Sequence, residues 1–281
     1  MAKVVFASDI DKTLTDERHI IPDEVVVYLE NLYKSGWEIV LLTGRTFSFA
    51  MMSLEKINFP FYLAVQNGAE VLKMPEKEIV FQTFLPISAA HSIDGICQHF
   101  GEDFLIYSGL EQGDFCYYRT TKFSPFFLAY LEKLKRISAG DWVEIKRLKD
   151  IPQTRFPLIK CLGDPLALQK IQGKLSDIDS ITSSLISDSV DSSLSILLVT
   201  HKDVNKGLIF KKIVEKCGWT CPIIAAGDDN NDIPLLQAAD ISIAMKTGSK
   251  DLMRHATIIA NSSFEHGIIP ALEEAKSRLG F

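Results

Sequence analysis

No apolar run in this sequence of 281 residues approaches the roughly 18 or more that a membrane span requires, so no membrane partner is expected. Basic blocks are missing too. The 30 Lys and Arg against 36 Asp and Glu leave a net charge of −6, which argues against nucleic acid as a partner. Cysteine is sparse: Cys97, Cys116, Cys161, Cys217 and Cys221 are odd in number and widely scattered, which excludes a disulfide framework and makes free thiols the expectation. The one close pair, in Cys217-Gly218-Trp219-Thr220-Cys221, has no histidine nearby and matches no common zinc or redox spacing. The six histidines are dispersed as well. The N-terminus passes through Lys3 into an apolar run without a signal-peptide pattern, and a cytoplasmic location is expected.

What is present is an ordinary globular composition, 47% hydrophobic and 23% charged, in a chain long enough for one large or two ordinary domains. The stretch everything else is organised around is Val4-Val5-Phe6-Ala7-Ser8-Asp9-Ile10-Asp11-Lys12-Thr13-Leu14-Thr15. A short apolar run ending in a polar turn reads as a buried strand, and in an open α/β sheet ligands sit at the carboxyl ends of strands. Asp9 and Asp11 are two residues apart, so along extended backbone both carboxylates face one space and repel unless a cation or a proton intervenes. Such a pair is a hard, all-oxygen site suited to magnesium; taken alone, it is equally an acidic turn that caps backbone N–H groups.

Ile21-Pro22-Asp23-Glu24 opens a helix that ends at Ser35-Gly36, and 37–42 reads as a second strand. Strand, helix and strand in about forty residues form a βαβ unit and imply a parallel sheet. That strand runs into Thr43-Gly44-Arg45 and a helical pattern over 46–57, where a hydroxyl, a glycine, an arginine and a helix N-terminus make a place for a phosphate or an ordinary N-cap. A strand over 62–66 meets the turn dipeptide Asn67-Gly68, and further strands follow at 70–72 and 79–81, so a hairpin replaces the βαβ rhythm. Between about 85 and 193 helical patterns alternate with short aromatic or β-branched runs, the texture of an inserted α+β domain.

An apolar run returns at 194–199. His201-Lys202-Asp203-Val204-Asn205-Lys206-Gly207 and a helix over 208–216 come next. A lysine where a helix begins is unfavourable on dipole grounds and is better explained if it faces an anion. The strand 221–226 ends in Gly227-Asp228-Asp229-Asn230-Asn231-Asp232, an oxygen-rich cation site. A calcium loop is excluded, since Ile233 stands where that loop needs glycine and Ala239 where it needs glutamate. Strands at 241–245 and 257–260 and a helix over 267–279 complete the alternation.

Asp9-Ile10-Asp11-Lys12-Thr13-Leu14-Thr15, Thr43-Gly44-Arg45, Asn205-Lys206-Gly207 and Gly227-Asp228-Asp229-Asn230-Asn231-Asp232 together resemble the four ordered motifs of the haloacid dehalogenase superfamily. The long insertion and Asn67-Gly68-Ala69 are similar to the Cof-type, or sugar-phosphatase, branch with its large α/β cap. The resemblance implies a Rossmann-like parallel-sheet core with helices on both faces, formed by residues 1–84 and 194–281, and an inserted α+β cap at 85–193. It implies a magnesium-dependent phosphatase acting on a small phosphorylated metabolite, with Asp9 as nucleophile forming an aspartyl-phosphate and Asp11 as general acid, then base. Magnesium would be held by Asp9, the backbone carbonyl of Asp11 and Asp228, with Asp232 orienting its waters. Thr43, Gly44, Lys206 and Asn231 would grip the phosphoryl oxygens. Lys12 departs from the glycine of many relatives, and Asp229 is expected to be a solvated neighbour rather than a metal contact. Arg119, Lys122 and Lys160 are cations of the insertion for which surface solvation is expected. A phosphomutase of the same fold and a catalytically silent regulatory binding protein are the alternatives.

Overall fold

The computed structural model describes residues 3–100, 103–138, 140–188, 190–191 and 193–280. The chain divides into two compact units: one takes the chain up to Thr43, Met51–Phe81 and everything from Asn205, and the other takes Gly44–Ala50 and Gln82–Val204. No helix among the described residues is long and apolar enough to cross a membrane.

The first unit is built on an eight-stranded sheet. Its spatial order is Ile258–Ala260, Ile241–Met245, Ile223–Gly227, Val4–Asp9, Trp37–Leu42, Phe61–Val65, Glu70–Met74 and Glu78–Gln82. The first six strands are parallel and Glu70–Met74 runs antiparallel to Phe61–Val65. Every residue of Val4–Asp9 is buried, as a strand covered on both faces must be. Its side chains Val5 and Ala7 join Val40, Leu42, Ala64, Ala225 and Ala244 on one face, where Ile209, Phe210 and Ile213 of helix Lys206–Cys217 cover them. The chain leaves Val4–Asp9 toward Trp37–Leu42 on one side and returns to Ile223–Gly227 on the other. The strand order therefore reverses at Val4–Asp9, and the crevice such a reversal opens lies at its carboxyl end. Asp9 is the last residue of that strand.

The second unit carries a six-stranded sheet in the order Ile181–Ser187, Ser195–His201, Leu158–Leu162, Phe104–Tyr107, Cys116–Tyr118 and Trp142–Glu144. Period-2 alternation splits its side chains between two cores. Phe104, Ile106, Ile159, Cys161, Leu197 and Val199 meet helices Ile87–Cys97 and Pro165–Leu175. Leu105, Leu158, Leu162, Ile196 and Leu198 meet helix Pro125–Ile137 on the opposite face.

Two expectations change here. The run at 194–199 belongs to this second sheet, paired antiparallel with both Ile181–Ser187 and Leu158–Leu162, so the unit extends to Val204 and past the expected boundary at 193. A buried apolar run reads alike in either sheet. The cations Arg119 and Lys160 are not solvated: the Arg119 guanidinium is buried against Asp103, with Nε donating to Oδ2 at 2.7 Å, and also donates to Asp94 at 2.8 Å. Lys160 lies buried on the sheet's helix-Pro125–Ile137 side, bonded to Asp188 at 2.8 Å and Tyr130 at 3.2 Å. Lys122 is half-exposed and pairs with Asp94 at 2.9 Å. Their sequence neighbours carry no sign of these partners, which lie 16 to 30 positions away.

Candidate active site

Asp9, Lys206 and Asp232 form the buried centre of the site, 4%, 1% and 0% exposed. Lys206 opens helix Lys206–Cys217, whose N-terminus is capped by Asn205, the side-chain oxygen accepting from the Leu208 N–H at 2.9 Å. Its ammonium donates to Oδ1 of Asp9 and to Oδ1 of Asp232. The second oxygen of Asp232 accepts from the backbone N–H groups of Asp228 and Asp229 at 3.0 and 3.1 Å, which fixes the turn after strand Ile223–Gly227. Oδ2 of Asp9 is buried with no hydrogen-bond partner among the described residues. Asp9, Asp228 and Asp232 each place a carboxylate oxygen within 4.8 Å of the others.

Three carboxylates around one ammonium leave an excess of negative charge in a poorly solvated space. Burial pushes the Asp9 carboxyl up to about 7, with Asp232 and Asp11 adding repulsion and Lys206 opposing it. Asp228 is held well above the usual carboxylate range by burial and then by Asp9, Asp232 and Asp229. Burial pulls the Lys206 ammonium down, but Asp232 and Asp9 outweigh it and hold its pKa above the ordinary lysine value. An orphaned buried oxygen beside two further carboxylates is a hard donor set, and it fits a magnesium-sized divalent cation. Both oxygens of Asp232 are already engaged, which suits it to a supporting place behind Asp9 and Asp228.

Thr43 is linked to this centre through Asn67, a residue whose place in the sequence suggests no site role. Asn231, 7% exposed, neighbours Asp232 and donates from Nδ2 to Oδ1 of Asn67 at 3.0 Å. Asn67 in turn donates its N–H to the carbonyl of Thr43 at 2.8 Å. Hydrogen bonds thus link Thr43, Asn67 and Asn231, and Lys206 bridges Asp9 to Asp232, the residue that follows Asn231 in the chain. The signal available was the turn dipeptide Asn67-Gly68 at a strand end, which announces a bend and not a partner 164 positions away.

The remaining expected residues are placed as follows. Asp11 lies in the turn after Asp9, its Oδ1 3.4 Å from Nδ1 of His19. Gly44 follows Thr43 directly, ahead of helix Phe47–Leu54. Arg45 is folded back on that helix, its guanidinium 4.1 Å from the Phe49 ring centroid. Asp229 caps the turn Asn230–Asp232 by accepting from the Asn230 N–H at 2.7 Å. Lys12 sits at φ +53°, the left-handed region where a glycine costs least, and its N–H donates to Thr15 Oγ1 at 3.1 Å.

A family model described as haloacid dehalogenase-like hydrolase matches residues 6–272. The chain belongs to this family. Among proteins of similar sequence is one of Mycoplasma pneumoniae provisionally named a phosphatase, 26% identical over 278 residues that cover 92% of each chain. Among solved structures, SMU.1108c of Streptococcus mutans superposes with a TM-score of 0.81 at 17% identity, covering 99% of this chain and 100% of that one. A structure described as the subclass IIB sugar phosphatase BT4131 superposes with a TM-score of 0.76 at 19% identity, covering 99% of both chains. The parallel-sheet core and the separate α+β unit are therefore those of a Cof-type haloacid dehalogenase-like hydrolase.

Proposed function

We propose that this chain is a magnesium-dependent phosphatase that hydrolyses a small phosphorylated metabolite, a sugar phosphate or similar phosphomonoester, through an aspartyl-phosphate on Asp9. Family membership and its phosphatase relatives make it a phosphoric monoester hydrolase. The observation that carries the finer reading is the Asp9 carboxylate, with one oxygen held by Lys206 and the other bare beside Asp228.

Attack by a carboxylate on a phosphomonoester dianion is opposed by charge, so positive charge has to be in place beforehand. Magnesium held by Asp9, Asp228 and the Asp11 carbonyl, with Asp232 orienting its waters, would supply that charge when bound. Lys206 contributes a fixed ammonium against Asp9, and the Thr43, Gly44 and Asn231 groups hold the phosphoryl oxygens. The Asp9 oxygen bonds to phosphorus as the bond to the leaving oxygen breaks, and the Asp11 carboxylic acid gives that oxygen its proton. Asp11, now a carboxylate, then takes a proton from water, whose oxygen attacks phosphorus, releases inorganic phosphate and restores Asp9. The sugar phosphate is argued by analogy with the structurally similar sugar phosphatase.

The test is a panel of phosphorylated metabolites and p-nitrophenyl phosphate, assayed with magnesium and with EDTA for wild type and Asp9→Asn. Phosphate release is expected with magnesium only, and Asp9→Asn lowers it by about 10³-fold or more. Turnover surviving in purified Asp9→Asn would assign the nucleophile elsewhere.

A further inference from the structure

The segment Gln66-Asn67-Gly68 turns with three successive residues at positive φ: +53°, +59° and +97°. Only the last is a glycine. Left-handed backbone at ordinary residues costs free energy and persists where the surroundings hold it. Two contacts do so here. The Asn67 N–H is bonded to the Thr43 carbonyl at 2.8 Å. Gly68 presses so close to helix Lys206–Cys217 that a Cβ would stand 2.7 Å from Cγ1 of Ile209, an approach that no other residue allows.

The product of this strained turn is the placement of one buried amide. Asn67 is 4% exposed, and its Oδ1 accepts from Nδ2 of Asn231 at 3.0 Å. An amide nitrogen carries two hydrogens in one plane. Once the first is given to Asn67, the plane of the Asn231 amide is fixed and the direction of its second hydrogen with it. Asn67 is thus bonded both to Thr43 and to Asn231, two loops that meet only through the fold. Asparagine suits the position twice over, since it tolerates left-handed backbone better than most residues and offers an uncharged acceptor.

We propose that Asn67 is a positioning residue that aims the Asn231 amide at the phosphoryl oxygens and sets its distance from Thr43. The inference rests on the phosphatase reading above. Asn67→Gly is the decisive variant because it keeps the backbone freedom and removes only the amide. In the full-length protein, competitive inhibition by inorganic phosphate weakens about tenfold, the scale of one hydrogen bond to a charged oxygen, and KM rises with it while kcat changes far less. In an Asn231→Ala background the same substitution adds nothing further, a coupling that a merely structural role would not show. Asn67→Asp, which keeps backbone and acceptor and adds a charge, also weakens phosphate inhibition, so the test survives if Asn67→Gly fails to fold. Unchanged phosphate inhibition in both Asn67 variants, additive effects of Asn67→Gly and Asn231→Ala, or a silent Asn231→Ala would each overturn the inference. Asp9→Asn in the same assay separates that failure from failure of the phosphatase reading.

Discussion

As the proposed nucleophile Asp9 has to be a carboxylate, yet it is buried where a carboxylate is costly. Burial first, then the Asp232 and Asp11 charges, raise its pKa from 3.8 to about 7 against the pull of Lys206. The sign of the consequence follows from proton counting. Between those two values the folded protein keeps a proton that the unfolded chain has lost, so stability falls as pH rises through that window and levels off above it. Asp228, also held high, adds to the same direction. A bound cation takes the proton's place and shrinks the fall. Melting temperatures between pH 5 and about 7 should therefore decline steadily in EDTA and decline less in magnesium. Coincident profiles in EDTA and magnesium would mean that no cation reaches the Asp9 carboxylate.

At the scale of elements, helix Lys206–Cys217 meets the short helix Ile233–Leu236, which continues the turn Asn230–Asp232, at Gly207. A Cβ there would stand 2.2 Å from the carbonyl oxygen of Pro234, backbone that cannot rotate away. Gly207→Ala has to separate the two elements and stretch Lys206 away from Asp232. We expect a loss of roughly 1–3 kcal/mol in urea denaturation, as for other overpacked sites, and about 10²-fold in kcat/KM from misplacement of the ammonium. Undiminished kcat/KM would show that the spacing between these elements is not what sets the site. The elements themselves were legible because each announces itself locally. Val4–Asp9 is an unbroken apolar run stopped by acids, Asn205 is a good N-cap, and the turn after Ile223–Gly227 is all oxygen donors. Pairing was not legible. Ser195–His201 reads as a buried strand whichever sheet it joins, and it joins the second unit. The Asn67–Asn231 bond and the burial of Arg119 and Lys160 are set by residues distant in sequence, and local periodicity carries no information about them. The left-handed φ of Lys12 is backbone that a glycine would adopt at less cost, and only backbone geometry could show it.

Across the whole molecule, two sets of buried carboxylates, one in each unit, are met differently. In the second unit Asp103 is matched by Arg119 and Asp188 by Lys160, so each of these carboxylates is neutralised inside its own fold. In the first unit Asp9 and Asp232 share the Lys206 ammonium, and Asp228 places a carboxylate oxygen within 4.8 Å of both. Fully ionised, that group carries two negative charges more than it neutralises, the charge of one divalent cation. Anything that binds the folded state and not the unfolded chain stabilises it by mass action, by about 2.7 kcal/mol at a concentration 100 times the dissociation constant. For a chain of this size that is a rise of several degrees in melting temperature. Titration with magnesium should produce such a rise, EDTA should reverse it, and Asp228→Asn should remove most of it by deleting one of the two carboxylates left to the ion. The second unit's ion pairs offer the cation nothing, so Lys160→Met, though destabilising, should leave the magnesium-induced shift of the protein intact. A full shift in Asp228→Asn would place the cation away from these three carboxylates.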